Sequence, residues 1–205
     1  MPTTPYQEYV QFAQPHVPGC PEFVIEEHIA EAANKFCKKS YAWRQELAAQ
    51  NTVVSVSDYV IPVPAGTTLE DVVHLEVDKA AQVRISDKDW QQVYGEVVTK
   101  PRWYALVQDT TLRMYPTPDA VYEYRGTLVL VPTLSATGAE SFLFNNHARC
   151  IAYGAVATLK ATPGKEWTDF EGAVFYKTKF QGGIDEARIR DNRGVRRQVR
   201  FQPFA

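Results

Sequence analysis

The sequence predicts an α+β protein: a three-helix bundle frame with a small antiparallel β-sandwich or barrel inserted between the first long helix and the second, and an extended C-terminal arm. Long stretches with apolar residues at helical spacing occur near the two ends of the chain. The middle instead holds short β-branched and aromatic runs separated by turn residues. Helices and strands that occur in separate runs are typical of the α+β class. With 205 residues, of which 45% are apolar, the chain is long enough to bury such a core.

The strongest helical signal begins at Pro21 and predicts a helix to about residue 50. Proline is tolerated in the first turn of a helix, and the glutamates that follow it are favoured near the positive end of the helix dipole. Apolar residues recur at spacings of three, four and seven, which places them on one face: Ile25, Ile29, Ala32, Phe36, Trp43 and Leu47. A short helix is expected before it, over residues 5–14, with Thr4 as its N-cap and Pro5 at its first position.

The stretch from residue 51 to 138 predicts the inserted β-domain. Six short strands are expected, in the segments TVVSVSDYVIPVP, LEDVVHLEVD, AQVRIS, RWYALVQ, TLRMYP and VYEYRGTLVLVP. DKDWQQVYG, between the third and fourth, is expected to form a short helix or turn. Residues 101–126 are rich in aromatic residues and proline but contain neither histidine nor cysteine. We therefore interpret this hairpin as a structural part of the sandwich, in which prolines protect the strand ends from unwanted pairing.

Two further helices are expected after this β-domain, over residues 142–162 and 167–191. Gly182 and Gly183 are expected to bend the second of them. Residues 193–205 have no helical period and are expected to form an extended arm. The predicted domains are a helical bundle of residues 1–50 and 139–192, a β-domain of residues 51–138, and a basic arm of residues 193–205.

The net charge of −2 conceals an uneven distribution. From Arg188 to Ala205 there are six arginines and one acid, Asp191, which gives +5, so the other 187 residues sum to −7. A basic end on an acidic body indicates a binding partner for that end. The preferred interpretation is docking of the arm into an acidic groove of another protein. A solvated terminus and direct contact with DNA are the alternatives.

Catalytic and metal-binding patterns are poorly represented in this chain. His147 and Cys150 are three residues apart on a predicted helix, which is half of a metal site, but no second pair stands at a workable spacing. We therefore expect no enzyme activity, no catalytic residue, no cofactor and no metal. The three cysteines are expected to be free thiols in a reducing cytosol. No apolar run approaches the roughly 18 residues that a membrane span requires, and the N-terminal residues are not expected to be a signal peptide.

Four segments, taken in order, resemble a known family. CPEFVIEEHIAEAANKFCKKSYAWRQE is similar to the first helix of tailed-bacteriophage head-to-tail adaptor proteins, which include the podophage tail tubular protein A type. The recurring features are Cys20-Pro21, the Ala32-Ala33 pair, Phe36-Cys37 and Trp43. DYVIPVP, KPRWYAL with TLRMYPTPDAVYEYRGTLVLVP, and ARCIAYGAVATLKATPGKEW also resemble that family. The resemblance extends from about residue 20 to residue 192.

The resemblance implies a structural role in the virion. Such adaptors assemble as a ring, usually dodecameric, beneath the portal protein, and join it to a stopper, nozzle or tail protein. Phage DNA would pass through the channel without specific binding, and the protein would be assembled in the host cytoplasm and reside in the neck or tail, with no membrane contact. The expected portal-binding residues are in the basic arm: Arg193, Arg196, Arg197, Arg200, Phe201 and Phe204.

Other functions fit parts of the sequence. A different neck protein, such as a head-closure (stopper) protein or a tail terminator, would also lack catalytic residues. A β-sandwich ligand-binding module would bind sugar or peptide as a monomer in a concave aromatic pocket. A DNA-binding regulator would bind duplex DNA with steep salt dependence.

Overall fold

The structure is a computed structural model that describes residues 2–85, 97–108 and 110–196, without the side chains of residues 108 and 191–196. The protein is α+β, as predicted. The chain divides into two compact units. The helical unit contains the described residues up to Trp43 and those from Pro132 onward, and the β unit is Arg44–Val131.

The helical unit is built from four α-helices, a 3₁₀ turn and a small antiparallel sheet. The helices are α1 (Gln7–Ala13), α2 (Glu22–Ser40), α3 (Ser141–Ala161) and α4 (Phe170–Arg196), and the 3₁₀ turn is Gln14–His16. The sheet pairs β1 (Thr3–Pro5) with β10 (Gly138–Glu140). α3 packs against α1, α2 and α4, so its buried residues form the centre of this unit.

The expected helix over residues 5–14 begins later than predicted. Thr3–Pro5 form a strand instead, and the helix starts at Gln7. The partner strand lies more than 130 residues away along the chain, and local sequence carries no signal for such a pairing.

The predicted helix over residues 21–50 ends at Ser40, which is the largest error in the prediction. The Ser40 Oγ donates to the Phe36 carbonyl at 2.8 Å and accepts from the Ala42 N–H at 3.2 Å. Tyr41 then adopts a left-handed conformation, with φ of 58°, and caps the helix through its N–H to the Cys37 carbonyl. Residues Arg44–Asn51 form strand β2. Trp43 and Leu47 remain buried, but neither lies on a helix.

The described residues of the β unit form two four-stranded sheets. Its strands are β2, β3 (Asp58–Val60), β4 (Thr67–Val77), β5 (Ala80–Ala81), β6 (Val83–Arg84), β7 (Trp103–Gln108), β8 (Thr111–Tyr115) and β9 (Glu123–Pro132). The strand orders are β2-β9-β4-β5 and β3-β8-β7-β6. β6 and β7 pair in parallel, unlike the antiparallel pairs predicted throughout, because a long connection rather than a hairpin joins them.

Buried tyrosines connect the two sheets. The Tyr104 hydroxyl donates to the Val72 carbonyl of the facing sheet at 2.9 Å, and the Tyr59 and Tyr124 rings lie 5.5 Å apart between centroids. The Tyr124 hydroxyl donates to the Gln50 side chain at 2.7 Å. Each hydroxyl thus keeps a hydrogen-bond partner while its ring is buried, which is what a thin aromatic core requires.

Only three residues of the first predicted strand, TVVSVSDYVIPVP, form a strand. The Tyr59 hydroxyl bonds the Val56 carbonyl at 2.6 Å and the Val53 carbonyl at 3.2 Å, which holds the preceding residues in a loop. The segment DKDWQQVYG, expected to be a short helix or turn, lies outside the described residues.

The last two helices form close to where they were predicted. α4 continues through Gly182 and Gly183 and reaches Arg196, so the first four residues of the expected extended arm are helical. The remaining arm residues, 197–205, lie outside the described part of the chain.

Candidate assembly surfaces

Two of the six residues predicted to bind the portal belong to the end of α4: Arg193 and Arg196. They stand three residues apart on a helix, which places their Cα atoms on one side of it. The other four lie outside the described residues: Arg197, Arg200, Phe201 and Phe204. The extended arm expected from residue 193 onward is corrected for Arg193 and Arg196, because both are helical.

The helical unit anchors α4 along one face. The buried side chains of α4 are Ala173, Phe180, Ile184 and Ala187. Arg188, Ile189 and Arg190 are exposed, so the last described turn with side chains is already on the surface. The α3 and α4 helices lie close together where they cross. A Cβ on Gly154 would lie 2.9 Å from the Phe180 ring, so glycine is required at that crossing.

A groove with a volume of about 730 Å³ runs along the outer side of α3 and α4. Tyr153 and Phe175 form its aromatic walls, and Gly182 and Gly183 lie where side chains would otherwise fill it. The Lys179 Nζ lies 5.4 Å from the centroid of the Phe175 ring, at the edge of the groove. The sequence analysis treated the two glycines as a bend and did not predict the groove. The sequence signal that could have indicated the groove was the pair of adjacent glycines inside a long helix.

A smaller pocket of about 340 Å³ lies on the other flank of α4, between α4 and the end of α2. Lys38, Lys39 and Arg188 surround it, together with Tyr41 and Asp185. Three cations and one carboxylate give this pocket a positive charge, which suits a carboxylate-bearing partner.

The β unit exposes valines on loops at one end. Val53, Val54 and Val56 lie between β2 and β3, Val97 and Val98 precede β7, and Val121 precedes β9; each is at least 39% exposed. Backbone hydrogen bonds join these loops: the Ser55 N–H donates to the Pro118 carbonyl at 2.9 Å, and the Thr117 N–H donates to the Val97 carbonyl at 3.2 Å. A cluster of exposed apolar residues is a candidate protein-contact surface.

His147 and Cys150, the half metal site considered above, are part of the α2–α3–α4 packing. The His147 ring lies 4.8 Å from the Phe36 ring. Burial is the main cause that lowers the pKa of this histidine, and the nearby positive charge of Arg190 is the second. Burial raises the pKa of the Cys150 thiol to about 12. In the described ranges, no group of three or more His, Cys, Asp or Glu side chains is placed to hold a metal ion. These two residues are explained by packing.

A bidentate ion pair of the β unit is structural as well. The Arg113 guanidinium donates to both carboxylate oxygens of Asp58, at 2.6 and 2.8 Å, across the β3–β8 pair. These hydrogen bonds lower the pKa of the Asp58 carboxyl.

The surfaces described above define a protein whose distinctive features are suited to contacts with other proteins. The family model of the SU10 adaptor protein matches residues 7–201, almost the whole chain, and the chain therefore belongs to the SU10 adaptor protein family. It is a structural adaptor protein of a bacteriophage, a component of the virion that interacts with other head or tail proteins. This confirms the predicted resemblance at the level of a phage adaptor. A search of the curated proteins found no match.

The lengths and hydropathies of the described helices bear on membrane insertion. None of them is both long and apolar enough to cross a bilayer.

Proposed function

We propose that this adaptor forms a dodecameric ring beneath the portal, in the manner of the podophage tail tubular protein A type, and joins the portal to a stopper, nozzle or tail protein. The single observation that carries the proposal is the family match over residues 7–201. The protein is assembled in the host cytoplasm and then resides in the neck or tail. This role requires no catalytic residue, cofactor or metal.

The charge distribution supports a ring around a DNA channel. Residues 1–187 carry a net charge of −7, and an acidic surface repels the phosphate backbone instead of binding it. Phage DNA can then move through the ring without specific contacts.

The basic end supports contact with the portal. α4 is held by its buried face as far as Ala187, and the arginine-rich residues follow directly. The helix therefore supplies a fixed base for Arg193 and Arg196. Guanidinium groups bind carboxylates in bidentate geometry, and arginine and aromatic residues are common hot spots of protein interfaces. We assign portal binding to this end, with Arg197, Arg200, Phe201 and Phe204 completing the contact.

Negative-stain imaging of the purified protein mixed with its portal tests the ring. We expect a ring of adaptor subunits on one side of the portal.

A chain that ends after Arg196 retains all of α4, so its melting temperature should be unchanged while it no longer joins DNA-filled heads. Replacing Arg193 and Arg196 by lysine, which keeps the charge but loses the bidentate geometry, is the matched control and should weaken loading less than replacement by alanine. Full loading by the truncated chain, and by that chain with Arg193 and Arg196 also replaced by alanine, would place the portal contact elsewhere, most plainly on α4 between Lys177 and Arg190.

A further inference from the structure

Phe23 is an aromatic side chain that the fold leaves on the surface. It lies in the first turn of α2, on the side away from the buried Ile25 and Ile29, and 72% of its surface is exposed. Glu22, Glu26 and Glu27 are its neighbours on the same helix. The result is an apolar knob surrounded by carboxylates.

The groove between α3 and α4 is open because of Gly182. A Cβ on Gly183 would lie 2.3 Å from the Cys150 Sγ, so helix packing requires glycine there. A Cβ on Gly182 would meet no described atom within 4 Å, so packing does not require glycine at that position. Glycine inside a helix is less favourable than alanine. An open groove beside Phe175 and Tyr153 explains its presence.

The knob and the groove are formed by different elements of the helical unit. The described residues that line the groove come from α3 and α4, not from α2. The opposite flank of α4, with Gln181, Ile184 and Arg188, faces the end of α2 across the smaller pocket. A contact that joins the knob of one molecule to the groove of another, without the reverse contact between the same two molecules, is heterologous, and such contacts close into rings when the rotation between copies allows it.

The charges around the two features are complementary. Three glutamates adjoin Phe23, and Lys179 stands at the edge of the groove beside Phe175. Of the described residues that line the groove, Glu186 is the one acid; it lies two helical turns further along α4 than Lys179 and interacts there with Arg190, at 3.7 Å. An incoming phenylalanine flanked by carboxylates thus meets an aromatic wall and the ammonium group of Lys179 in one place.

We propose that Phe23 of one copy of this chain inserts into the α3–α4 groove of a second copy, with its flanking glutamates facing Lys179. The occupant is a second copy because each chain carries one knob and one complementary groove. The inference rests on the ring proposed above and supplies the contact between neighbouring subunits.

Site-directed cross-linking of two cysteine variants tests this contact without a portal. Glu22→Cys places a thiol beside Phe23 and leaves the Phe23 side chain unchanged. Thr178→Cys places a thiol at the groove, one turn from Gly182. Gln181→Cys is the matched control, since it is the nearby residue on the opposite flank of α4. Both chains also carry Cys150→Ala, because Cys150 is half-buried and lines the groove, whereas Cys20 and Cys37 are buried.

Under mild oxidation at low salt, a mixture of the Glu22→Cys and Thr178→Cys chains should form covalent dimers. A mixture with Gln181→Cys should not. Adding Phe23→Ala to the first chain, or Gly182→Leu to the second, should reduce the dimer yield by roughly tenfold or more, the loss expected when an interface hot spot is removed or its site is filled. Lys179→Glu should weaken the contact, and Glu27→Lys on the other chain should restore part of it.

Three results would overturn the proposal: no dimer above background, equal dimer with Gln181→Cys, or a yield unaffected by Phe23→Ala. Cross-linking of Phe204→Cys to Thr178→Cys in preference to Glu22→Cys would also overturn it, because the groove would then hold the C-terminal residues. Since the readout needs only two copies, a failure here is distinguishable from failure of portal binding.

Discussion

Aromatic side chains determine much of the packing of the helical unit. Trp43 is 4% exposed, and its ring lies 6.4 Å from that of Phe142 at the start of α3. Tyr9 is fully buried and packs edge to face on Phe144. Because such contacts join segments distant in the sequence, single large-to-small changes should be costly here.

Trp43→Ala should lower the free energy of unfolding by about 3–5 kcal/mol, the usual cost of removing a buried aromatic side chain. The measurement is equilibrium denaturation in urea. Phe23→Ala removes an exposed aromatic ring of the same unit and should cost less than about 1 kcal/mol. A cost of that small size for Trp43→Ala would contradict its place in the core.

His147 should make the stability pH-dependent. Burial and Arg190 lower its pKa in the folded protein, while Glu186 opposes them, so the unfolded chain binds a proton more readily. The stabilising contribution is therefore complete above about pH 6.5, the usual histidine pKa, and is lost as the pH falls through the folded-state pKa. Thermal melts between about pH 7 and 5 should show a smaller loss of stability for His147→Gln than for the wild type.

His74→Gln is the matched control, because that side chain is half exposed on the surface of the β unit. Its stability is measured over the same pH range, beside the wild type and His147→Gln. The same slope in His147→Gln would show that other groups cause it.

Residue burial could be predicted from the sequence better than secondary structure. Ile25, Ile29 and Phe36 were placed on a core face and are buried. Trp43 and Leu47 fit the same spacing and are buried too, but on the loop after α2 and on β2. Apolar spacing records which side chains avoid water, and over a few residues it does not distinguish a helix continuing from a strand beginning.

At the level of elements, the α3–α4 contact depends on glycines whose roles differ. Gly183 permits Cys150 to approach α4, whereas Gly182 faces the open groove. Two adjacent glycines on one helix thus allow a matched comparison of a packing role and a surface role.

Gly183→Ala should destabilise the protein by about 1–3 kcal/mol because the added methyl overlaps the Cys150 Sγ. Gly182→Ala should stabilise it by up to about 1 kcal/mol, the difference in helix propensity. Urea denaturation of both variants measures this. Cys150→Ala should recover part of the loss in Gly183→Ala, and equal effects of the two glycine substitutions would contradict the assigned contact.

The elements that sequence could not predict depend on distant partners or on capping. β1 exists through its pairing with β10, and a Cβ on Gly138 would lie 2.5 Å from the Thr4 carbonyl, so the two strands fit closely. α2 ends where Ser40 bonds its own helix and Tyr41 turns left-handed. Of the candidate assembly surfaces, the arginine-rich end could be predicted from the uneven charge distribution of the sequence. The groove could not, since it exists only when α3 and α4 lie side by side.

At the scale of the whole molecule, the exposed apolar residues are distributed over several small surfaces. In the described part of the chain, Phe23 and the α3–α4 groove of the helical unit are small features, as are the loop valines of the β unit, and none of them resembles a large apolar interface. Interfaces of obligate oligomers usually bury well over about 2,000 Å². Assembly of this adaptor should therefore depend on a partner that holds several copies side by side.

We predict that the isolated protein is largely monomeric and forms its ring on the portal. A contact made by one aromatic knob is weak when the copies are free in solution. A portal ring holds many basic ends side by side, which raises the effective concentration of each knob at the next groove, so the weak contact becomes sufficient without any new interaction. Light scattering at about 10 µM should then report a mass near the 23.2 kDa of one chain, whereas complexes with the portal should carry a full ring. A chain ending after Arg196 should lose the ring on the portal while remaining a monomer, and Phe23→Ala should bind the portal with incomplete occupancy. Stable rings of the isolated protein at micromolar concentration would contradict assembly on the portal, while leaving its membership of the adaptor family unchanged.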